Sequence, residues 1–402
     1  MKIVIFLTLL ICSYLFYGLY VSQHRIEVVP SSLRGENPSG WYDYRGVTNV
    51  RSNLSSGSSN PSEIIASAKK SNLDFLVLTD SNQFESSSSS SGYYGSLLVL
   101  DESEYSFLDS RLIYYSGQDQ KQPQSLQESA LFFTDLLSQK EIEKRDSIVV
   151  LAQPFKGENS TWSGEYPAGL DGIEVINPKS ISEQAWKKSK FNVLVSLLTY
   201  PFSPNLAFLR LFNEPKNELA LWDSVASTRP FLGFAGSDAS ARAFPLTDYL
   251  MKFPSYQKSF EFVSNHLLIQ TELTGNFSKD RIKILRALKK GQFYLALDLL
   301  GDPRGFWVSI TDTESEYPMG STIKYKQGLL LNAKIPWEIS DQFEIVVIKN
   351  GEREFTSNSS SLEYKITGPG VYRVIVRVSP FLSFLEGKRW ITWIYSNPFY
   401  VR

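Results

Sequence analysis

Between Trp41 and about Leu300, short apolar runs alternate with longer stretches of helix-forming composition, and this alternation limits the fold more strongly than any other feature of the chain. Strands that alternate with crossover helices are typical of α/β folds. Two stretches, SLQESALFFTDLLSQKEIEK and SEQAWKKSKF, have the length and composition of crossover helices. The predicted strands or strand ends are DFLVLTD, LLVLDESE, RLIYYSG, SIVVLAQP, LDGIEVIN, NVLVSLLTY and FLGFAGSDAS. The pattern predicts a barrel-like or doubly wound α/β domain.

After Gly305 the pattern changes to short β-type runs separated by turns, with KNGE and GPGV as turn signals. The runs are FWVSITD, GLLLNAKI, FEIVVIKNGE, VYRVIVRVS and RWITWIYSN. The sequence therefore predicts two domains, an α/β domain over residues 41–304 and a small antiparallel β-sandwich over residues 305–402. The second domain carries no constellation of metal ligands or nucleophiles, and we expect it to pack against the first.

The N-terminal segment is uncharged and apolar from Ile3 to Val21. A helix of that length can cross the hydrocarbon core of a bilayer, and the following GLYVSQ lacks the A-x-A pattern of a cleavage site. Residues 1–25 therefore predict a transmembrane signal anchor, with a cleaved signal peptide as the alternative. Residues 26–40, rich in Pro, Ser, Gly and Asn, predict a linker. The expected location is extracytoplasmic, in the periplasm or at the cell surface, with the N-terminal helix holding the protein to the membrane.

Composition excludes several classes of site. The net charge of −1 argues against a nucleic-acid partner, because proteins that bind nucleic acids normally have a basic surface. With Cys12 as the single cysteine, neither an intramolecular disulfide nor a cysteine-based zinc site can form. The two histidines, His24 and His266, lie outside the motifs described below. The chain contains no nucleophile-elbow motif, so the sequence does not support a catalytic triad with His266 as its base. It also contains no P-loop or GxGxxG sequence.

An acid closes the predicted strand DFLVLTD, which follows a segment, PSEIIASAKKSN, whose apolar residues have helical spacing. Ligands and metals of α/β folds collect at the carboxyl ends of the strands, so Asp80 lies where chemistry is expected. A single acid at a strand end is nevertheless more often a cap or turn residue. The same ambiguity applies to Asp238, to Glu174 and to the neighbouring Asn82.

Taken together, four segments resemble the PHP family (polymerase and histidinol phosphatase). They are YRGVTNVRSNLSSGSSNPSEIIASAKKSNLDFLVLTDSN, DESEYSFLDSRLIYY, LAQPF and FAGSDASA, which follow the order of the family's motifs over about Trp41 to Gly301. The C-terminal WITWIYSNPFYVR also resembles the tail of membrane-associated members. The resemblance implies a distorted β/α barrel that binds divalent metals, commonly zinc, manganese or iron, and hydrolyses phosphoesters.

Other residues occupy all of the family's metal-binding histidine positions in this chain. By the resemblance, these positions fall on Asn49, Arg51, Ser81, Arg111, Gln153 and Ser240. The acids Asp80, Glu104 and Asp238 are retained. Because neutral imidazoles hold such metals while leaving a position for an activated water, the resemblance implies that the metal site has been lost. We therefore expect no cofactor.

Arg51 and Arg111 bring fixed positive charges to positions where the resemblance implies cations, and arginine stays protonated. An uncompensated buried carboxylate is strongly destabilising, so we expect both arginines to pair with Glu104 and Asp238. The predicted vestigial cleft, with no catalytic residue and no metal, consists of Asn49, Arg51, Asp80, Ser81, Glu104, Arg111, Gln153, Asp238 and Ser240.

Two functions remain open. The first, which we prefer, is a non-catalytic pseudoenzyme that binds or scaffolds at the membrane, with an anionic small molecule or a protein as the ligand of its cleft. The alternative is a residual metal-dependent phosphoesterase whose carboxylates and amides hold a hard cation such as magnesium or calcium.

Overall fold

The computed structural model describes residues 1–29, 35–38, 40–82, 90–116, 123, 125–139, 145–156, 159–242, 253–336, 339, 342–384 and 386–402. The helices are α1 (Lys2–Gln23), α2 (Pro61–Lys70), α3 (Leu126–Ser138), α4 (Pro178–Lys188), α5 (Lys190–Thr199), α6 (Pro204–Leu211), α7 (Lys216–Ala226), α8 (Tyr256–Phe260) and α9 (Phe277–Lys289). The first strands are β1 (Tyr42–Val50), β2 (Phe75–Ser81), β3 (Gly92–Tyr94), β4 (Leu97–Phe107), β5 (Ser110–Tyr115), β6 (Ile148–Ala152), β7 (Phe155–Lys156), β8 (Asn159–Ser160), β9 (Gly172–Ile176), β10 (Leu232–Ala239), β11 (Ser264–Ile269) and β12 (Phe293–Ala296). The C-terminal strands are β13 (Trp307–Thr311), β14 (Glu316–Pro318), β15 (Thr322–Ile323), β16 (Leu330–Lys334), β17 (Gln342–Lys349), β18 (Glu352–Ser357), β19 (Ser361–Lys365), β20 (Gly370–Ser379), β21 (Phe381–Ser383), β22 (Gly387–Lys388), β23 (Ile391–Ser396) and β24 (Phe399–Val401).

Seven strands close into a barrel. Their order is β10-β9-β6-β5-β4-β2-β1, and the pairing of β10 with β1 completes the circle. Neighbouring strands run parallel, except that β5 is antiparallel to both β4 and β6. The result is a mixed α/β fold with a barrel and additional strands, which confirms the predicted α/β class and selects the barrel over the doubly wound sheet.

The barrel strands are buried because both of their faces are covered. Strands β6, β9 and β10 are buried along their whole length, as expected for parallel strands that read as continuous apolar runs. Helix α2 begins where the Asn60 side chain accepts a hydrogen bond from the Glu63 backbone N–H at 2.9 Å. It buries Ile64, Ile65 and Ala68, as its spacing predicted. The first turn after β1 is thereby fixed against the sheet.

One predicted strand, NVLVSLLTY, is wrong, because these residues form most of helix α5. The Ser189 side chain accepts a hydrogen bond from the Asn192 backbone N–H at 3.2 Å and begins the helix. A short apolar run fits a strand or a helix equally well, so periodicity could not separate the two. The other predicted strands and both predicted crossover helices are confirmed where they are described; residues 140–144 of the first lie outside the described residues.

The C-terminal strands pair antiparallel, apart from the parallel pair of β15 and β24, and are joined to the barrel by hydrogen bonds. Strand β11 pairs with β1 and with β12, and β12 pairs with β23 through Tyr294 opposite Ser396. The sheet then continues through β20, β17 and β18, while β14, β13, β16 and β19 form a separate sheet. A continuous sheet therefore crosses from the barrel into the C-terminal strands, past the predicted domain boundary at residue 304.

Helix α1 is long and apolar enough to cross a membrane, as anchors and signal sequences both are. It has 22 residues, and its most apolar 18-residue window has a mean hydropathy of 2.2 and is 6% buried. In the predicted linker, residues 30–34 and 39 lie outside the described residues. Val28 and Val29 are buried, and the Val28 backbone N–H donates to the Leu300 carbonyl at 2.7 Å. This part of the predicted linker packs against the body of the protein.

His266 is buried at the junction of β1, β11 and the segment after β12. Its Nδ1 lies 2.8 Å from Asp43 Oδ1 and its Nε2 lies 3.1 Å from Asp298 Oδ1. Burial alone would lower the pKa of His266, but Asp43 and Asp298 raise it to about 9. The ring also stacks on Tyr294 with centroids 4.8 Å apart. Because both nitrogens are engaged by carboxylates, His266 acts as a buried cation that joins elements of the fold.

Candidate functional site

The mouth of the barrel is organised around Arg51, which directly follows β1. Its Nη2 lies 2.8 Å from Glu104 Oε2 on β4, and its Nη1 lies 2.9 Å from Asp238 Oδ1 on β10. The three side chains are only 4%, 3% and 1% exposed. One guanidinium therefore bridges two carboxylates from opposite sides of the barrel.

The charges in this triad stabilise one another. Burial opposes the charge of Arg51, but Asp238 and Glu104 outweigh it and raise the pKa of Arg51. Burial raises the pKa of Asp238, and the positive charge of Arg51 partly offsets that rise. With water excluded, such an interaction is far stronger than a surface ion pair. Arg51 is thus a fixed cation at the centre of the mouth.

Glu174, on β9, lies beside this triad and accepts three hydrogen bonds. Asn49 Nδ2 donates to its Oε1 at 2.7 Å, whereas Asn177 Nδ2 and the Gln153 backbone N–H donate to its Oε2 at 2.9 and 3.2 Å. Burial raises the pKa of Glu174 to about 7, while the donor from Asn49 opposes this rise. A Cβ on Gly236 would lie 1.8 Å from Glu174 Oε1, so only glycine fits beside the carboxylate. The sequence alone left the role of Glu174 undecided. The sequence feature connected with its position is Gly236 on β10, where any side chain would collide with the carboxylate.

Asp80 is held by the loop after β1. It accepts hydrogen bonds from the Ser52 backbone N–H at 2.8 Å, the Ser52 hydroxyl at 2.6 Å and the Ser55 hydroxyl at 2.5 Å. Next to it, the Ser81 hydroxyl donates to Glu104 Oε1 at 3.0 Å. Asp80 therefore fixes the loop that carries Ser52 and Ser55. Its neighbour Ser81 contacts the triad through Glu104. Asn82 is a turn residue whose side chain accepts from the Ser106 backbone N–H at 3.2 Å.

Three strand-end residues adopt left-handed backbone conformations, with φ of 59° at Asn49, 46° at Gln153 and 41° at Asp238. Such conformations are unfavourable for residues with a Cβ and persist only where surrounding contacts enforce them. Gln153 Nε2 donates to Asp238 Oδ2, and Asn49 donates to Glu174. These bonds turn the side chains inward across the mouth.

The remaining predicted residues lie at the rim. The Arg111 side chain is 42% exposed, and its Nη1 lies 3.9 Å from Glu104 Oε1. The Ser240 carbonyl accepts hydrogen bonds from the Ser58 backbone N–H at 3.0 Å and the Tyr256 hydroxyl at 3.2 Å. Arg51 thus pairs closely with both carboxylates, whereas Arg111 makes a longer, half-exposed contact with one.

The residues present do not fit the divalent metals that the family resemblance implies. Among the described residues, no group of three or more His, Cys, Asp and Glu side chains is arranged to hold a metal ion. Arg51 fills the space between Glu104 and Asp238, and a protonated guanidinium has no lone pair to offer a metal. Two amides, two serines and Arg111 take the other positions at which metal-binding imidazoles would be expected.

Neither a protein family model nor a curated protein matches this chain. Among solved structures, the chain is similar to a protein from Bacteroides vulgatus ATCC 8482 described as a two-domain protein containing a predicted PHP-like metal-dependent phosphoesterase. The two chains are 15% identical, with 92% of this chain and 99% of that chain covered and a TM-score of 0.36. A TM-score of this size does not establish a common fold, so the fold and site described above rest on the geometry of this chain alone.

Proposed function

We propose that this protein is a non-catalytic binding or scaffolding protein of the membrane, in which an internal arginine replaces the metal ions of a phosphoesterase-like barrel. The observation that carries the proposal is the Arg51 guanidinium, buried between Glu104 and Asp238 at 2.8 and 2.9 Å. The guanidinium supplies positive charge at the centre of the mouth without offering a coordination position.

The chemistry of the mouth supports a structural role for these charges. Metal-dependent phosphoester hydrolysis needs a Lewis acid with an open position, at which a water of lowered pKa can bind. Arginine can neutralise the two carboxylates but cannot bind and activate a water in this way. Glu174 likewise accepts three hydrogen bonds from groups within the protein. The carboxylates are therefore engaged inside the protein.

An anionic ligand would bind at the rim of the mouth. Arg51 is already neutralised by two carboxylates, whereas, among the described residues, Arg111 is half exposed and Lys179 is exposed, so both are accessible cations. Both positive charges lower the pKa of Asp238, so both act on the same mouth. A small phosphorylated or carboxylated molecule, or an acidic protein segment, matches this rim.

Helix α1 supports attachment to a membrane. We propose that the barrel lies on the extracytoplasmic side. The 22 residues of α1 rise about 33 Å, close to the thickness of the hydrocarbon core of about 30 Å. An anchor would hold the barrel and the C-terminal strands at the bilayer surface. A binding protein in that position could present its rim to ligands or partners near the membrane.

The proposal is tested by measuring the metal content of the full chain in detergent after dialysis against zinc, manganese and magnesium, with hydrolysis of a generic phosphomonoester followed on the same sample. We expect neither stoichiometric metal nor turnover. The variant Arg51→Ala should gain affinity for a divalent cation, because it opens the space between Glu104 and Asp238. The matched control, Arg353→Ala, removes a half-exposed arginine on β18 and should bind no metal.

Stoichiometric metal together with turnover in the unmodified chain would contradict the proposal. It would mean that Arg51 moves aside and that the carboxylates hold a hard cation, which is the alternative of a residual phosphoesterase.

A further inference from the structure

Helix α5 carries its apolar residues on the outside of the protein. Phe191, Leu194 and Leu198 are 72%, 54% and 47% exposed. Two polar residues of the same helix are buried instead: Ser196 donates to the Ala207 carbonyl at 2.5 Å, and Thr199 is fully buried. Lys190 and Asn192, in its first turn, are exposed. A surface helix of a soluble protein has the opposite arrangement, with the apolar stripe on the core.

Further exposed aromatic side chains extend this face. Trp186, at the end of α4, is 50% exposed, and Phe384, at the tip of the β21–β22 hairpin, is 62% exposed. We call the surface formed by Trp186, Phe191, Leu194, Leu198 and Phe384 the apolar platform. Isolated exposed apolar residues are ordinary, but a cluster of large ones on neighbouring elements marks an interaction surface.

The apolar platform is continuous with helix α1. The Tyr14 hydroxyl donates to the Leu198 carbonyl at 3.0 Å, and the rings of Tyr17 and Tyr20 lie 6.1 and 5.1 Å from that of Phe384. A Cβ on Gly18 would lie 2.5 Å from the ring of Phe202, so the helix approaches the body very closely. The last three turns of α1 are therefore packed against the elements that carry the platform.

The length of α1 then decides where the bilayer lies. Only Lys2 to Ser13 precede the first contact at Tyr14, and this part of the helix rises about 18 Å. The hydrocarbon core is about 30 Å thick, so the free part cannot cross it alone. The packed turns of α1 must also enter the bilayer if the helix spans it, and α5 enters beside them.

We propose that the apolar platform is a second membrane contact, which inserts into the outer part of the leaflet from which α1 emerges. Exposed Lys187, Lys188 and Lys190 flank the platform and match anionic headgroups, with Lys190 Nζ 5.7 Å from the centre of the Trp186 ring. Aromatic residues combined with lysines are characteristic of interfacial helices. The inference rests on the proposed membrane attachment through α1, while the exposed apolar face of α5 supports it independently.

The single cysteine makes the test direct. A polarity-sensitive fluorophore is attached to the full chain at Cys12, or, in a Cys12→Ser background, at Leu194→Cys, Phe191→Cys or the control Leu131→Cys. Leu131, on α3, is 65% exposed but lies outside the platform. Each protein is reconstituted in vesicles of phosphatidylcholine and phosphatidylglycerol, with and without brominated acyl chains.

We expect brominated lipid to quench the probes at Leu194→Cys and Phe191→Cys nearly as strongly as the probe at Cys12, and to leave Leu131→Cys unchanged. Quenching at Cys12 alone would refute the platform while leaving the anchor intact. Quenching at Leu194→Cys and Phe191→Cys without quenching at Cys12 would support the platform and contradict the anchor. Equal quenching at Leu131→Cys and at the platform sites would also refute the proposal, because the contact would then be nonspecific.

Discussion

Replacing Arg51 by methionine tests whether a buried cation holds the barrel mouth together. Methionine keeps most of the volume of the side chain and removes its charge and its donors. Arg51 is 4% exposed and pairs with Glu104 and Asp238 at 2.8 and 2.9 Å, so Arg51→Met leaves two buried carboxylates without their counter-ion. Removing one partner of a buried pair costs about 3–5 kcal/mol, and we expect a loss of that size in the free energy of unfolding at neutral pH.

The pH dependence separates this electrostatic effect from a packing effect. Burial already raises the pKa of Asp238, and the loss of Arg51 raises it further, because Arg51 is the main group that lowers it. A carboxyl group whose folded-state pKa lies above its unfolded value destabilises the folded state at high pH, and this penalty disappears as the pH falls through the folded pKa. The deficit of Arg51→Met relative to the unmodified protein should therefore shrink as the pH is lowered from neutral.

The assay is urea unfolding of the full chain in detergent, followed by tryptophan fluorescence near neutral pH and about 2 units lower. Arg353→Met is the matched control, because Arg353 pairs with Glu344 at a half-exposed site and should change stability by less than about 1 kcal/mol. A triple variant that adds Glu104→Gln and Asp238→Asn should recover part of the loss. The reasoning is refuted if Arg51→Met is as stable as Arg353→Met, or if its deficit grows as the pH falls.

Two further predictions concern buried residues outside the Arg51 triad. The pKa of His266 is raised to about 9, so its charged pair with Asp43 should contribute stability below about pH 6.5, and this contribution should be lost as the pH rises through 9. In His266→Gln the fall in unfolding free energy over that window should vanish, and an unchanged pH profile would contradict the assignment. Gly236→Ala should destabilise the protein by more than about 1 kcal/mol, because its Cβ would lie 1.8 Å from Glu174 Oε1. The control Gly368→Ala, where a Cβ meets nothing within 4 Å, should be nearly neutral under the same denaturant titration, and equal effects at both sites would count against a packing role for Gly236.

The barrel could be predicted from the sequence because each of its strands is encoded by a local pattern of residues. Each strand is an apolar run bounded by polar residues, and strands such as β2 and β10 are found within a residue or two of their predicted positions. Helix α5 was predicted as a strand because its apolar residues form a short continuous run, which fits either element. The pairing of β12 with β23 joins residues about 100 positions apart, and no local pattern encodes such a contact.

The candidate site was predictable in part for the same reason. Motif positions indicated which residues lie at the mouth, but not which of them touch. The sequence offered no reason to treat Arg51 and Arg111 differently. In the structure, Arg51 is buried between two carboxylates, whereas Arg111 is half exposed at the rim. The difference arises because Arg51 follows a left-handed turn at the end of β1 that directs it into the barrel, whereas Arg111 lies within β5.

The strained backbone of the mouth is held in place by contacts between side chains of this chain. Left-handed Asn49, Gln153 and Asp238 are each disfavoured by about 1 kcal/mol or more, and each makes a buried or partly buried side-chain contact. Asn49 donates to Glu174, Gln153 donates to Asp238, and Asp238 pairs with Arg51. Since each contact depends on the next strand end, loss of any one would release strain at its neighbour. The internal ion pair therefore fixes the relative positions of the strand ends. In the proposed function, the rim is the surface at which a ligand would bind.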